Sequence, residues 1–209
     1  GVKVAALIDS RAGVDVGDLP YPVHLGAQVC GSTGRLGLTG IKVRKGDRVL
    51  HVAAECLAVS GGWNPTVHLA CHMNGRPEWR ADIAAFVPRD GMVPGLEAAG
   101  ACNGAFSTAD CLAEGAAAAA RVVVALGHKG AAIKLPEAED QAYRISPLWA
   151  VAGKGRAWLD FQNDVSVKDI KQAAVENFRS VEHMKRYTTQ GMATDQGKNS
   201  NVMALAVLA

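Results

Sequence analysis

The apolar positions of this chain fall into short runs closed by glycine, proline or charge, a pattern that predicts strands and helices separated by many loops. Lys3 to Ile8 reads as a parallel strand buried on both faces, opening into the polar Asp9-Ser10-Arg11. Glycines multiply from Val29 to Val52. There Leu38 to Val43 and Arg48 to Val52 flank Arg44-Lys45-Gly46-Asp47, which predicts a hairpin with Ile41 and Val43 on its inner face. Cys56 to Val59 predicts a buried strand running into Gly61 and Gly62, followed by a helix capped by Asn64, begun by Pro65 and stopped near Gly75.

The same logic recurs at Gly95 to Gly104, a short apolar strand opening into small residues. A long helix follows from about Ser107 to Leu126, with Ser107 and Asp110 at capping spacing and Gly127 as its stop. Its run Ala116 to Ala120 suits close packing. Residues 128–156 lack periodicity and read as a linker. Beyond it come a strand over Ala157 to Asp160, two helices capped at Ser166 and Ser180, and a tail from Gly191 that starts glycine-rich and turns apolar.

Composition narrows the function classes. With 209 residues, 49% of them hydrophobic, the chain suits one globular unit with an appendage. A net charge of +2, without basic clusters interleaved with aromatic residues, argues against nucleic acid as a partner. Ala116 to Leu126, interrupted by Arg121, is too short to span a bilayer, so no membrane is expected. Five scattered cysteines without a CxxC pair signal neither a disulfide framework nor zinc, and fit a reducing cytoplasm. The chain starts at Gly1 directly before a strand and stops inside an apolar run, the expectation for an internal fragment.

Candidate chemistry is confined to loops. Asp9, at a strand end, is placed to bind ribose hydroxyls. Gly61 and Gly62 form a tight turn between strand and helix, a natural binding loop. Lys185, Arg186, Thr188, Thr189 and Lys198 gather positive charge and hydroxyl groups around glycine-rich backbone, the ingredients for holding a phosphate. No Gly-x-Ser-x-Gly elbow or His-x-x-x-His is present, and no catalytic residue is expected. Cys102 reads as a small buried filler and His183 as a packing residue.

Three stretches carry a family resemblance: Ser60-Gly61-Gly62-Trp63-Asn64-Pro65, Asp160-Phe161-Gln162-Asn163-Asp164-Val165, and Phe178 to Thr189 with the following Gly191 to Lys198. Together they resemble the alpha subunit of heterotetrameric sarcosine oxidases. The resemblance implies an α/β chain: a partial glutathione-reductase-like dinucleotide-binding fold followed by a small, mainly helical, BFD-like domain. Residues 1–52 would be the remainder of an inserted NAD(P)-binding-like domain and 53–127 the return segment of the main FAD/NAD-binding-like domain. Residues 128–156 would be a linker and 157–209 the small domain.

In that frame Gly100, Ala101, Asn103 and Gly104 stand at the fold's last dinucleotide-contacting strand end, where flavoproteins usually place an aspartate after the glycine. Ala101 and Cys102 stand there instead, which favours NAD over a flavin, with backbone N–H groups near Gly104 facing a pyrophosphate. Related small domains hold a two-iron, two-sulfur cluster on four cysteines. The matching positions here are Asp160, Gln162, Asp195 and Ser200, so no iron–sulfur cluster is expected. FMN would lie where the alpha and beta subunits meet, near the Lys185-Arg186 motif, with FAD and tetrahydrofolate elsewhere in the complex and gamma and delta subunits as further partners. The implied activity is oxidation of sarcosine to glycine, with hydrogen peroxide and formaldehyde or methylenetetrahydrofolate. Two rivals are a flavin-dependent NAD(P)H oxidoreductase, which should show a redox CxxC or a complete glycine fingerprint, and a scaffold subunit of an opine or proline oxidase, which should bind iron.

Overall fold

The computed structural model describes residues 1–139 and 143–209. It is a mixed α/β chain that divides into two units: Gly1–Val59 together with Leu148–Ala209, and Ser60–Pro147. Among the described residues no helix is long and apolar enough to cross a membrane.

The first unit opens with β1 (Leu7–Asp9), paired in parallel with β2 (Val23–Leu25), so that Ile8 faces His24. The strand expected over Lys3 to Ile8 therefore begins later. It is half-buried rather than covered on both faces, and Val2 and Val4 are exposed. A three-stranded antiparallel sheet follows, formed by β3 (Ala27–Thr33), β4 (Gly40–Lys45) and β5 (Arg48–Ala53) in that order. The expected hairpin is present: Lys45 pairs with Arg48 across a turn in which Gly46 adopts a φ of 56°. Ile41 and Val43 are buried beside Ala27, with Val29 and Val52 packed against them, while Lys42 points to solvent. Strand period two puts alternate residues on opposite faces, and the sequence obeys it here.

The C-terminal part of this unit is a small module with its own core. A short pair, β8 (Trp158–Asp160) and β9 (Val165–Ser166), leads directly into α3 (Val167–Val175), then α4 (Val181–Thr188) and α5 (Asn201–Leu208). Both serine caps fall where expected. Ser166 and Asp169 form a reciprocal capping box on α3, and the Ser180 hydroxyl accepts the His183 N–H of α4. Leu159, Val165, Ile170, Ala173, Met184 and Ala204 are buried together.

The second unit carries α1 (His68–His72), a hairpin of β6 (Glu78–Arg80) and β7 (Ala85–Val87), a 3-10 turn (Gly100–Asn103) and α2 (Thr108–Ala125). Three expectations are corrected here. Cys56 to Val59 forms no strand, because none of the described residues pairs with it, and Val59 is 81% exposed. The helix begins at His68 rather than at Asn64-Pro65, after the β-branched Thr66 and Val67. Gly95 to Gly104 is loop and 3-10 turn instead of a strand. The long helix stands as expected, with Ser107 accepting the Asp110 N–H, but of Ala116 to Ala120 only Ala118 is buried. The described residues of 128–156 form no regular element; residues 140–142 lie outside the described residues.

Candidate functional site

Two of the four positions expected in place of cluster cysteines, Asp160 and Ser200, hold the dipeptide Gln190-Gly191. Asp160 ends β8 with its carboxylate only 3% exposed. One oxygen accepts the N–H groups of Gln162 at 2.9 Å and Asn163 at 3.2 Å, and the other accepts the N–H of Gly191 at 2.9 Å. Burial pushes this carboxyl up, yet the N–H donors of Gly191, Gln162 and Asn163 outweigh burial and hold it below the ordinary value. Ser200, equally buried, accepts a 2.6 Å hydrogen bond from Nε2 of the fully buried Gln190. Asp195 closes its own turn by accepting the Gly197 N–H, and Gln162 is exposed. A carboxylate that gathers three backbone N–H groups is held as an internal anion that ties these loops together. Among the described residues no group of three or more His, Cys, Asp or Glu side chains gathers as metal ligands.

A second stitch joins the same loops, from Asn163 Nδ2 to the Thr189 carbonyl at 2.9 Å. It fixes the end of α4, where Thr189 adopts a left-handed φ of 63°. The hydroxyl groups expected to meet a phosphate are locally engaged. Thr188 donates to the Met184 carbonyl and accepts the Gln190 N–H, while Thr189 donates to the Thr188 carbonyl. Lys185 is half-buried, Arg186 and Lys198 are exposed, and among the described residues none of the three has an ion-pair partner.

Asp9 receives the backbone N–H and the guanidinium of Arg11, at 2.9 Å and 2.6 Å, and that guanidinium, its largest influence, holds its carboxyl below the usual range. Both of its oxygens are thereby engaged within the strand-end turn. Gly62 adopts a φ of 92°, and a Cβ there would meet the Tyr143 hydroxyl and Ile145; Gly61 beside it is open to solvent. The Tyr143 hydroxyl accepts the Trp63 N–H, so this turn is a packing joint.

In the 3-10 turn, the Gly100 N–H donates to Glu114 Oε2 at 2.9 Å, and the Asn103 amide donates to the same oxygen at 3.2 Å. Gly104, at a φ of 86°, donates to the Ala101 carbonyl, and a Cβ on it would lie 2.7 Å from Ile83. Ala101 is exposed beside them. Glu114 was missed from sequence, although its place nearly two turns into α2, facing the glycine loop, is the kind of signal that finds such anchors. At the start of α2 lies a cavity of about 300 Å³ lined by Phe106, Ser107, Thr108, Ala138 and Glu139.

A model of the sarcosine oxidase A3 domain matches residues 154–209. The chain is 45% identical to sarcosine oxidase subunit alpha of Rhizobium meliloti (strain 1021), over 100% of this chain and 22% of that protein. It is 39% identical to the corresponding subunit of Corynebacterium sp. (strain P-1), over 75% of this chain and 17% of that protein. The chain thus spans less than a quarter of the length of the curated relatives it matches. In fold it is similar to L-proline dehydrogenase from P. horikoshii, with a TM-score of 0.62 and 16% identity, over 90% of this chain and 40% of that one.

Proposed function

We propose, from kinship with sarcosine oxidase alpha subunits over its whole length, that this chain positions cofactors and partner subunits in an oxidase of sarcosine and carries no redox metal of its own. The observation that carries the second half is the Asp160 carboxylate. It takes the place of a cluster thiolate and uses three backbone N–H groups to fasten the loops that such a cluster would otherwise hold. A hard carboxylate held as an anion is a poor ligand for an iron–sulfur centre, which requires soft thiolates.

In this reading the whole complex oxidises the N-methyl group of sarcosine, giving glycine, hydrogen peroxide, and formaldehyde or methylenetetrahydrofolate. FAD and tetrahydrofolate bind elsewhere, and beta, gamma and delta subunits complete the assembly in the cytoplasm. FMN supplies electron transfer at the beta-subunit boundary, and the residues fit its phosphate: Lys185, Arg186 and Lys198 are three cations with no competing carboxylate on them among the described residues. With the Thr188 and Thr189 hydroxyls turned to local carbonyls, these cations would hold the phosphate and the threonines would shape the loop.

NAD is the proposed ligand of the second unit. The fit there is at the first turn of α2, whose Thr108 and Ala109 N–H groups have no acceptor within the helix, while the Gly100 N–H faces Glu114. Asn103 and Gly104 shape that entrance and Ala101 leaves room beside it; Gly61 and Gly62 form a separate turn of the same unit, and Asp9 would offer its carboxylate to a ribose at a strand end of the first unit. The test is to purify the oxidase complex carrying Lys185→Glu with Arg186→Glu and assay flavin, iron and acid-labile sulfide. Loss of FMN with unchanged subunit stoichiometry supports the reading. Stoichiometric iron and sulfide in the wild-type complex overturn it.

A further inference from the structure

A cavity of about 440 Å³ in the second unit belongs to none of the candidate sites described above. It is lined by Gly75, Arg76, Arg89, Asp90, Gly91 and Met92, on the two chain segments that flank the β6–β7 hairpin. The two arms are held together. Arg89 Nε donates to the Arg76 carbonyl at 3.3 Å, and the Met92 N–H donates to the Arg89 carbonyl at 3.1 Å. Gly75 is required where it stands, since a Cβ would lie 2.6 Å from the Ala70 carbonyl and 2.7 Å from the Met92 methyl group. Gly91 turns the second arm at a φ of 66°.

Two arginines therefore line one concavity. Among the described residues neither forms an ion pair, in contrast to Arg80 and Arg121 of the same unit, which pair with Asp82 and Glu97. Only Asp90 opposes them on the lining, leaving a net positive rim. Unpaired guanidinium forks fit the bidentate geometry of a phosphate. The cavity is within the range of small-molecule sites, several times larger than a single inorganic anion needs. Met92 adds an apolar wall.

We propose that the Arg76–Arg89 cleft is a binding site for the phosphate group of a small organic phosphate. The assignment is independent of the sarcosine oxidase reading, since it rests on the cavity and its two arginines alone.

The test is binding of inorganic phosphate, and separately of acetate, to the full-length subunit at low ionic strength, followed calorimetrically. Wild type is compared with Arg76→Gln, Arg89→Gln, Arg89→Lys and, as a charge control in the other unit, Arg35→Gln. The expected result is saturable phosphate binding weakened about tenfold or more by either glutamine, less by lysine, and not by Arg35→Gln. Both arginines are exposed, so the variants should melt like wild type. Equal affinity in all variants, or an equal loss in Arg35→Gln, overturns the site, and acetate binding as tightly as phosphate overturns the choice of ligand.

Discussion

The C-terminal module and the central unit enclose comparable numbers of helices and strands but differ in how much apolar surface they close by themselves. The module buries six hydrophobic residues in one cluster, with Phe178, Met203, Val207 and Leu208 packed around it. The central unit buries Ile83, Ala85 and Val87, supported by Phe106 and Tyr143, and leaves Trp63, Leu69, Met73, Val124 and Leu126 at least 64% exposed. Some exposed apolar surface is ordinary for any protein. Large residues bunched on α1 and α2 are not, and they mark the central unit as the half whose order rests on less burial. The module, by contrast, fastens its loops with a buried carboxylate and caps two of its helices with serines.

Four substitutions, with Asp160→Asn and Leu69→Ala as controls, test that contrast, taken from the largest effect to the smallest. Asp160→Ala strands three N–H groups and should destabilise the module by about 3–4 kcal/mol in a urea melt, while Asp160→Asn keeps an acceptor and loses less. The same carboxylate gives a pH signature. Its folded pKa lies below the ordinary 3.8, so its stabilisation is complete above that value and disappears as the pH falls below it, a loss that should be absent in Asp160→Asn. Ile170→Ala, at a fully buried position, should cost about 3 kcal/mol, against less than about 0.5 kcal/mol for Leu69→Ala, which is 72% exposed. An equal cost at both would erase the distinction between the two regions.

Gly104→Ala combines a left-handed backbone with a Cβ 2.9 Å from Val87, and should lower the central unit's stability by about 2 kcal/mol. Ser166→Ala removes one half of a capping box and should cost about 1 kcal/mol, read as a small fall in melting temperature. A null result there would mean that α3 is held by its core contacts alone.

Where sequence and structure agree, the deciding information was local. Gly46-Asp47 between alternating strands, Ser107 with Asp110, and Ser166 with Asp169 each specify an element within four residues. Where they part, a partner distant in the chain decides. Cys56 to Val59 has strand composition but no pairing strand among the described residues, whereas Glu78–Arg80 and Ala85–Val87 are too short to announce themselves and are joined by the cross-strand contact of Trp79 with Phe86, 5.0 Å apart. The site behaves alike. The likeness to cluster-binding domains points to Asp160, but its bond to Gly191, and Glu114 beneath Gly100, link residues 31 and 14 positions apart that no periodicity connects.

The ends of α3 and α4 meet through one aromatic pair. Phe178 stacks on Tyr187 with ring centres 4.3 Å apart, and the Tyr187 hydroxyl donates to Glu176, a bond that raises the phenol's pKa. Tyr187 thereby becomes a built-in optical gauge. Its ionisation in alkaline solution should lag behind that of a free tyrosine while the two helix ends stay together, and fall back to the ordinary midpoint once they separate.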